Sequence, residues 1–364
     1  MGVARQVRRL IKVIGELEHV ERLNPESRGV PEATMVSDGS QLQIPRVDFR
    51  GLSPSSPGGD RWGAAREEAM SALDSFGCFE AIYDAVSSDT NDDLFLRALP
   101  ELFELPTETK MRNKYAGMPY DGYIGQIPNL AFDSLRIEEP LSLHTVQQFT
   151  SLMWPDGNPT FSNAIGTFAK QVQELEHMVV RMILQSMDVE KYYDSLVESL
   201  THGVRMSEYG IPFDQETKLS LNEHVDPTMI TIVTQYLVDG LEVQTRDGKW
   251  IRVESQPNCF NVMLGELFRA WSNGRLHAPL HRVRVTGDQT RYSLIFGCRP
   301  KDEIMFEGPK ELIDEEHPLR FRPCKYPEYI RFRYSAEGVK LEDPLQAYLG
   351  VEEQQVDARM PSAK

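Results

Sequence analysis

The sequence predicts an α+β fold in which helices flank a jelly-roll core of eight β-strands. Two observations carry this expectation. From residue 202 onward, short runs rich in β-branched and aromatic residues alternate with Gly, Asp and Asn turns, at 203–209, 218–226, 229–236, 241–245, 250–253, 259–264, 280–286 and 292–298. Eight such runs imply a sandwich or barrel, and eight strands in two sheets make a jelly roll, one end of which can open into a pocket. Before residue 202 the pattern is mainly helical.

Taken in order, 44–49 reads as a strand, 62–75 as an amphipathic helix and 79–83 as a strand. The segment 89–103 is helical and stops at Leu105-Pro106. A long helix is expected at 161–187, because Ile165, Phe168, Ala169, Val172, Leu175, Val179, Met182 and Ile183 recur at three and four residues. That stripe reads as core packing that supports the jelly roll from one side. The eight strands follow, then helical pieces at 309–314 and 327–335 placed to cover the mouth of the core.

This gives an extension at 1–43, a helix-rich region at 44–200, the jelly roll at 201–300, covering helices at 301–355 and a tail at 356–364. No internal repeat is visible. Residues 5–22 have helical apolar spacing and a basic start. Glu16, Glu18 and Glu21 argue against a transit peptide, and Gln6 against a myristoylation signal. A dispensable helix and a flexible linker fit better.

The formal net charge of −16 over 364 residues argues against a nucleic-acid partner, whose phosphates select clustered Lys and Arg. No run has the length of a membrane span. Cys78, Cys259, Cys298 and Cys324 are far apart and form no Cys-x-x-Cys pair. They read as reduced thiols of a cytoplasmic protein. The chain is expected to be monomeric.

The chemistry is expected at His224-Val225-Asp226, His281 and Arg291-Tyr292-Ser293. Two histidines and a carboxylate form the facial triad that binds Fe(II) and leaves coordination positions open. Residues i and i+2 of a strand share a face, so a strand at 218–226 ended by Pro227 would present His224 and Asp226 together. His277 and His281 both compete for the third ligand position. His281 is preferred because it stands ten residues before Arg291 and is followed by Arg282-Val283. Arg291 and Ser293 share a strand face, and a guanidinium fork beside a hydroxyl suits a buried carboxylate. Iron with a carboxylate clamp points to an oxygenase that consumes a keto acid.

These residues carry a family resemblance. Asn222–Asp226, Ile230–Gln235, Asp239–Val243, Asp247–Trp250, Ser272–His277, Leu280–Val283 and Arg291–Ser293 resemble the core of the plant 2-oxoglutarate/Fe(II)-dependent dioxygenases. Ile44–Phe49 and Leu102–Lys110 resemble that family's opening strand and its Phe-x-Leu-Pro-x-Glu-x-Lys segment. Gly77–Ala81, Gly122–Gln126, Phe149–Asn158, Val189–Ser195 and Leu312–Leu319 are similar to the AOP-like branch, the alkenyl- and hydroxyalkyl-producing dioxygenases. The likeness runs from about residue 44 to about residue 351.

The resemblance implies a double-stranded β-helix. Fe(II) would be held by His224, Asp226 and His281, with 2-oxoglutarate as co-substrate, O₂ as oxidant and ascorbate as reductant. It implies that 2-oxoglutarate is converted to succinate and CO₂ while a small plant specialised metabolite is hydroxylated, desaturated or dealkylated. Arg291 and Ser293 would bind the distal carboxylate. Tyr209 occupies the family's Asn-x-Tyr position, although Ser207 replaces that Asn. Radical halogenases of the superfamily lack the metal carboxylate, so an intact Asp226 favours the other outcomes.

Three departures touch the pocket. Val225 replaces the usual Thr and is expected to face away from iron. Asn222 is placed either to donate a hydrogen bond near the metal or to be satisfied in the core. Gly297 stands where relatives carry Phe. A regular strand would open the pocket at Gly297, whereas a β-bulge after Ser293 would turn Phe296 inward instead. Two alternative functions stand beside the leading one. A same-fold oxidase that does not use 2-oxoglutarate would form no succinate, and a non-catalytic metal-retaining binding protein would take up no O₂.

Overall fold

The structure, a computed structural model, describes residues 42–115 and 122–351. The expected helix at 5–22 and the tail at 356–364 lie outside the described residues. The strands, in chain order, are β1 (Arg46–Asp48), β2 (Cys78–Ile82), β3 (Phe132–Glu138), β4 (Leu200–Tyr209), β5 (Leu219–His224), β6 (Ile230–Gln235), β7 (Leu241–Gln244), β8 (Trp250–Arg252), β9 (Cys259–Leu264), β10 (His281–Arg284) and β11 (Arg291–Pro300). All eight runs read from the second half of the sequence are strands, β4 to β11.

They form two sheets. The larger has the order β1-β2-β9-β6-β11-β4-β3 and the smaller β5-β10-β7-β8. Strands β4, β6, β9 and β11 face β5, β7, β8 and β10 as the jelly roll, and β1 to β3 widen the larger sheet at its two edges. Neighbours are antiparallel except β1 and β2. Apolar side chains separate the sheets: Val233, Leu241, Val243, Ile251, Val253 and Met263 are buried there, with Ile295 packed against them.

The long helix is Pro159–Ser186, and every residue of its expected stripe is buried. Asn158 caps it by accepting from the backbone N–H of Phe161. Phe168, Val172, Leu175 and Val179 belong to one buried cluster with Val204, Met206, Ile232, Leu294 and Phe296 of the larger sheet. Glu176 is buried in the same layer, which the spacing did not reveal. Its carboxylate lies 2.8 Å from His202 Nε2. Burial pushes the Glu176 carboxyl up, but His202 outweighs it and holds the group below the usual range. Among the described residues no helix is long and apolar enough to cross a membrane.

Several local expectations change. The helix expected at 89–103 is three pieces, Ser88–Asp92, a widened turn at Asp93–Ala98 and Leu99–Glu104. Pro100 lacks the N–H that a regular α-turn would bond back to residue 96, and the widened turn precedes it. The helix expected at 309–314 is one tight turn, Lys310–Leu312, whereas 327–335 matches Tyr326–Arg333. Strand β3 and the helix Leu143–Met153 were not anticipated. One face of β3 carries Phe132, Ser134, Arg136 and Glu138, a polar set that does not read as a buried strand.

Removing one partner of the Glu176–His202 pair leaves the other polar group buried alone. His202→Ala should therefore lower stability by about 3–5 kcal/mol in urea unfolding, while Glu176→Leu combined with His202→Leu should recover most of it. A loss below about 1 kcal/mol for His202→Ala would show that the pair is not coupled to folding.

Candidate metal centre and co-substrate pocket

The site begins with the pairing of β5 and β10. His281 and His224 are direct partners in this antiparallel ladder, although the register shifts between His281 and Val283 and again before Arg284. Their rings lie 4.2 Å apart between centroids, at 54°. Asp226 completes the cluster, with Oδ1 3.6 Å from His224 Nε2 and 3.8 Å from His281 Nε2. All three candidate ligand atoms lie within 4.8 Å of one another.

The strand expected to run to residue 226 ends at His224. Asp226 is therefore not placed by strand alternation. Its backbone carbonyl accepts from the Glu266 N–H at 2.8 Å.

The tautomers follow from the acceptors. His224 Nδ1 donates to the Asn222 carbonyl at 2.8 Å, and His281 Nδ1 donates to the Pro279 carbonyl at 3.3 Å. A carbonyl can only accept, so each Nδ1 carries the proton and each Nε2 keeps its lone pair toward the cluster. Burial, reinforced by His281, pushes His224 down to about 4, so it is neutral at neutral pH. Burial would raise the Asp226 carboxyl, but His281 and His224 hold it below the usual range. Two imidazoles that turn Nε2 to one point and one carboxylate on the same side form a donor set that suits Fe(II) and leaves other positions open.

His277 is outside this cluster; its backbone carbonyl and ring pack against Gly77 instead. Asn222 meets His224 through its main-chain carbonyl.

A second constellation lies on the inner face of the larger sheet. Arg291 pairs with Tyr209, and Ser293 pairs with both Ser207 and Gln235. Arg291 is only 1% exposed. Its Nη2 donates to Gln235 Oε1 at 3.0 Å, and its guanidinium carbon sits 4.8 Å from the Tyr209 ring centre. Gln235 is fixed in turn, because its Nε2 donates to the Val253 carbonyl at 2.7 Å. Gly240 leaves room for this side chain, since a Cβ there would lie 2.7 Å from Arg291 Cδ.

Arg291 Nε and Nη1, Ser293 Oγ and Ser207 Oγ are buried with no partner among the described residues. An unsatisfied buried donor costs roughly 1–3 kcal/mol, more when charged. Two N–H groups of a cation beside two hydroxyls match the oxygens of a carboxylate.

The alternatives at the end of β11 are resolved by register. Pairing with β4 is unbroken from Arg291 to Pro300, and pairing with β6 is unbroken from Ser293 to Cys298. There is no bulge. Gly297 therefore lies on the face of Arg291 and Ser293. A Cβ there would meet Thr228 Cγ2 at 3.6 Å and the Ile230 carbonyl at 3.7 Å, which are ordinary contacts. Phe296 points the other way, into the helix-side core, and stacks on His202 at 5.2 Å. The expectation that Phe296 lines the pocket is corrected.

Sequence reasoning passed over Gln235 and Gly240. It named Ser207 only as a departure. The available signal was Gln235 at the end of an otherwise apolar strand, followed shortly by a glycine.

Comparison with known proteins agrees with this geometry. Residues 200–300 match the family described as the 2OG-Fe(II) oxygenase superfamily. A probable 2-oxoglutarate-dependent dioxygenase of Arabidopsis thaliana, AOP1.2, is 39% identical over 87% of this chain and 99% of its own length. Among solved structures, a dioxygenase for auxin oxidation from rice superposes with a TM-score of 0.70 at 26% identity, over 85% of this chain and all of that one. The dioxygenase for auxin oxidation 1 of Arabidopsis thaliana, in binary complex with 2-oxoglutarate, gives 0.67 at 25% identity, over 76% of this chain and all of that one. With the jelly roll, the two-histidine, one-carboxylate cluster and a likeness running nearly the full length of the relative, the chain belongs to the 2-oxoglutarate- and Fe(II)-dependent dioxygenases, in their AOP-type group.

Proposed function

We propose that this dioxygenase oxidises a small plant specialised metabolite, with Fe(II) held by His224, Asp226 and His281 and 2-oxoglutarate anchored by Arg291, Ser293 and Tyr209. The observation that carries the reading is the set of buried donors on Arg291, Ser293 and Ser207 without partners among the described residues, sharing the inside of the jelly roll with the His-Asp-His cluster. Bound there, iron and 2-oxoglutarate supply the oxidising chemistry, with succinate and CO₂ as co-products.

The chain's own residues bind, orient and exclude. The Asn222 and Pro279 carbonyls fix both imidazole tautomers. Gln235 holds the Arg291 guanidinium through Nη2, which leaves Nε and Nη1 as charged donors with no partner among the described residues, open to a carboxylate. Ser207, in the position where the family carries Asn, adds a hydroxyl to the same pocket. Burial of Arg291 removes competing water, which strengthens a charge-assisted bond. The pocket widens at Gly297, on the metal side of that clamp, where a larger side chain would approach Thr228. The same reading has ascorbate as reductant and a monomer acting in the cytoplasm, in keeping with four cysteines that form no disulfide.

Three outcomes test the proposal. His224→Ala, Asp226→Ala and His281→Ala should each abolish succinate formation while near-ultraviolet circular dichroism stays native, and His277→Ala should keep activity. Inactive His277→Ala with active His281→Ala would reverse the ligand assignment.

Arg291→Lys should weaken 2-oxoglutarate binding, because an ammonium cannot reproduce the fork. Truncating one partner of a buried charge pair costs roughly 2–5 kcal/mol, or about 30-fold and upward in the 2-oxoglutarate KM. An unchanged KM would point to an oxidase that does not use 2-oxoglutarate.

Gly297→Phe should stop substrate oxidation but leave slow, uncoupled succinate formation, since the clamp is untouched. Phe296→Ala should instead lower stability by roughly 3–5 kcal/mol and leave the KM for the substrate unchanged. The reverse pattern would reject the pocket assignment.

A further inference from the structure

The metal carboxylate stands where the strand has already ended, and the means of holding it there lies outside the jelly roll. Ladder bonds fix His224 against His281, but β5 stops at His224. The next residues are held by their carbonyl oxygens. Asp226 O accepts from Glu266 N at 2.8 Å, Thr228 O from Leu267 N at 3.0 Å and Met229 O from Gly265 N at 2.8 Å. These three donors belong to one turn, at 265–267. The close approach requires glycine, since a Cβ on Gly265 would sit 2.1 Å from the Thr228 carbonyl oxygen.

The carbonyl of Val225 lies between the two ligands in sequence. It accepts at 2.5 Å from Arg333 Nη2, which is 108 residues away in the chain. Arg333 is the last residue of the helix Tyr326–Arg333. Its Nε lies 3.5 Å from Glu266 Oε2, and the Tyr329 hydroxyl donates to that same oxygen. Glu266 is 4% exposed and Tyr329 is fully buried. One guanidinium plane thus spans from the Glu266 carboxylate to the Val225 carbonyl. Glu266 ties both ends together, because its own N–H holds Asp226.

We propose that Arg333, braced by Glu266 and Tyr329, is a positioning residue that sets the Val225–Asp226 segment, so that the helix Tyr326–Arg333 is part of the metal centre. A buried ion pair is a poor way to gain stability alone, because desolvating both charges offsets most of their attraction. A lysine could not serve, since its point charge lacks the planar group that bonds the Val225 carbonyl while keeping its charge beside the Glu266 carboxylate. Groups that orient metal ligands from behind typically change metal affinity 10- to 100-fold when removed. The inference rests on the metal-centre reading above and goes beyond it.

The test is titration of the full chain with Co(II), read by visible d–d absorption and calorimetry, beside thermal melting of the metal-free protein. Wild type should bind one Co(II), and His224→Ala should lose it. Failure of either result would overturn the metal centre itself, and the inference with it. Arg333→Met should weaken Co(II) binding about 10- to 100-fold and alter the absorption band, and Arg333→Lys should not restore either. Reduced melting temperature with unchanged Co(II) affinity and spectrum would mean that Arg333 serves folding only, which overturns the proposal. If Arg333→Met does not fold, Tyr329→Phe decides, because it removes one hydroxyl from the brace. Weaker Co(II) binding in that variant supports the proposal, and unchanged binding rejects it.

Discussion

The pairing of β5 with β10 is the constraint on which the rest of the site depends. It places His224 opposite His281, and every other element is arranged around that contact. A one-residue slip would turn one of the two imidazoles to the other face of the sheet. The ladder is irregular beyond His281, where Val283 faces Leu221 rather than residue 222. That irregularity lets β10 keep its regular register with β7 on the other side, where His281 pairs with Val243 and Val283 with Leu241. The small sheet therefore absorbs a local distortion so that both histidines present Nε2 to one point.

Charge inside the fold is handled in two contrasting ways. Glu176 and His202 satisfy each other between the long helix and the larger sheet, and Glu266 is met by Arg333 and Tyr329. In each, opposite or complementary charges face one another within the protein. Arg291 is different. It is as deeply buried, yet among the described residues only one of its nitrogens finds an acceptor, the Gln235 side chain. Proteins rarely leave a buried cation so incompletely partnered unless a ligand completes it. The unpartnered donors of Arg291, beside the Ser293 and Ser207 hydroxyls, are the part proposed to bind an anion.

The larger sheet gives its two faces to different tasks. Its outer face carries Phe296, Leu294 and Met206 into a continuous apolar layer with the long helix. Its inner face carries Arg291, Ser293 and Ser207 toward the site, with Ile295 sealing the layer between the sheets. Because side chains alternate at each step, the rigidity gained from the helix is transmitted to the pocket without helix residues entering it. The regular pairing of β11 on both sides makes the placement of Gly297 a matter of register rather than of local flexibility.

The sequence by itself determined the class of fold, the eight core strands and the long helix, and it named His224, Asp226 and His281, which the structure brings into one cluster. Those features are carried by local periodicity and by short spacings, such as His-x-Asp and Arg-x-Ser. What the tertiary structure alone decided were the relations between distant segments. Alternation suggested that Asp226 shared a strand with His224, but the strand ends first, and the backbone N–H of Glu266 holds the Asp226 main-chain carbonyl instead. Gln235 supports Arg291 across 56 residues and Arg333 reaches Val225 across 108, and neither separation leaves a local pattern. The choice between Gly297 and Phe296 also lay beyond the sequence, because a bulge and a regular strand have the same composition. Periodicity reports which face of an element is apolar. It does not report which polar group from elsewhere in the chain meets that face, because that is fixed only when the sheets and the helix Tyr326–Arg333 pack together.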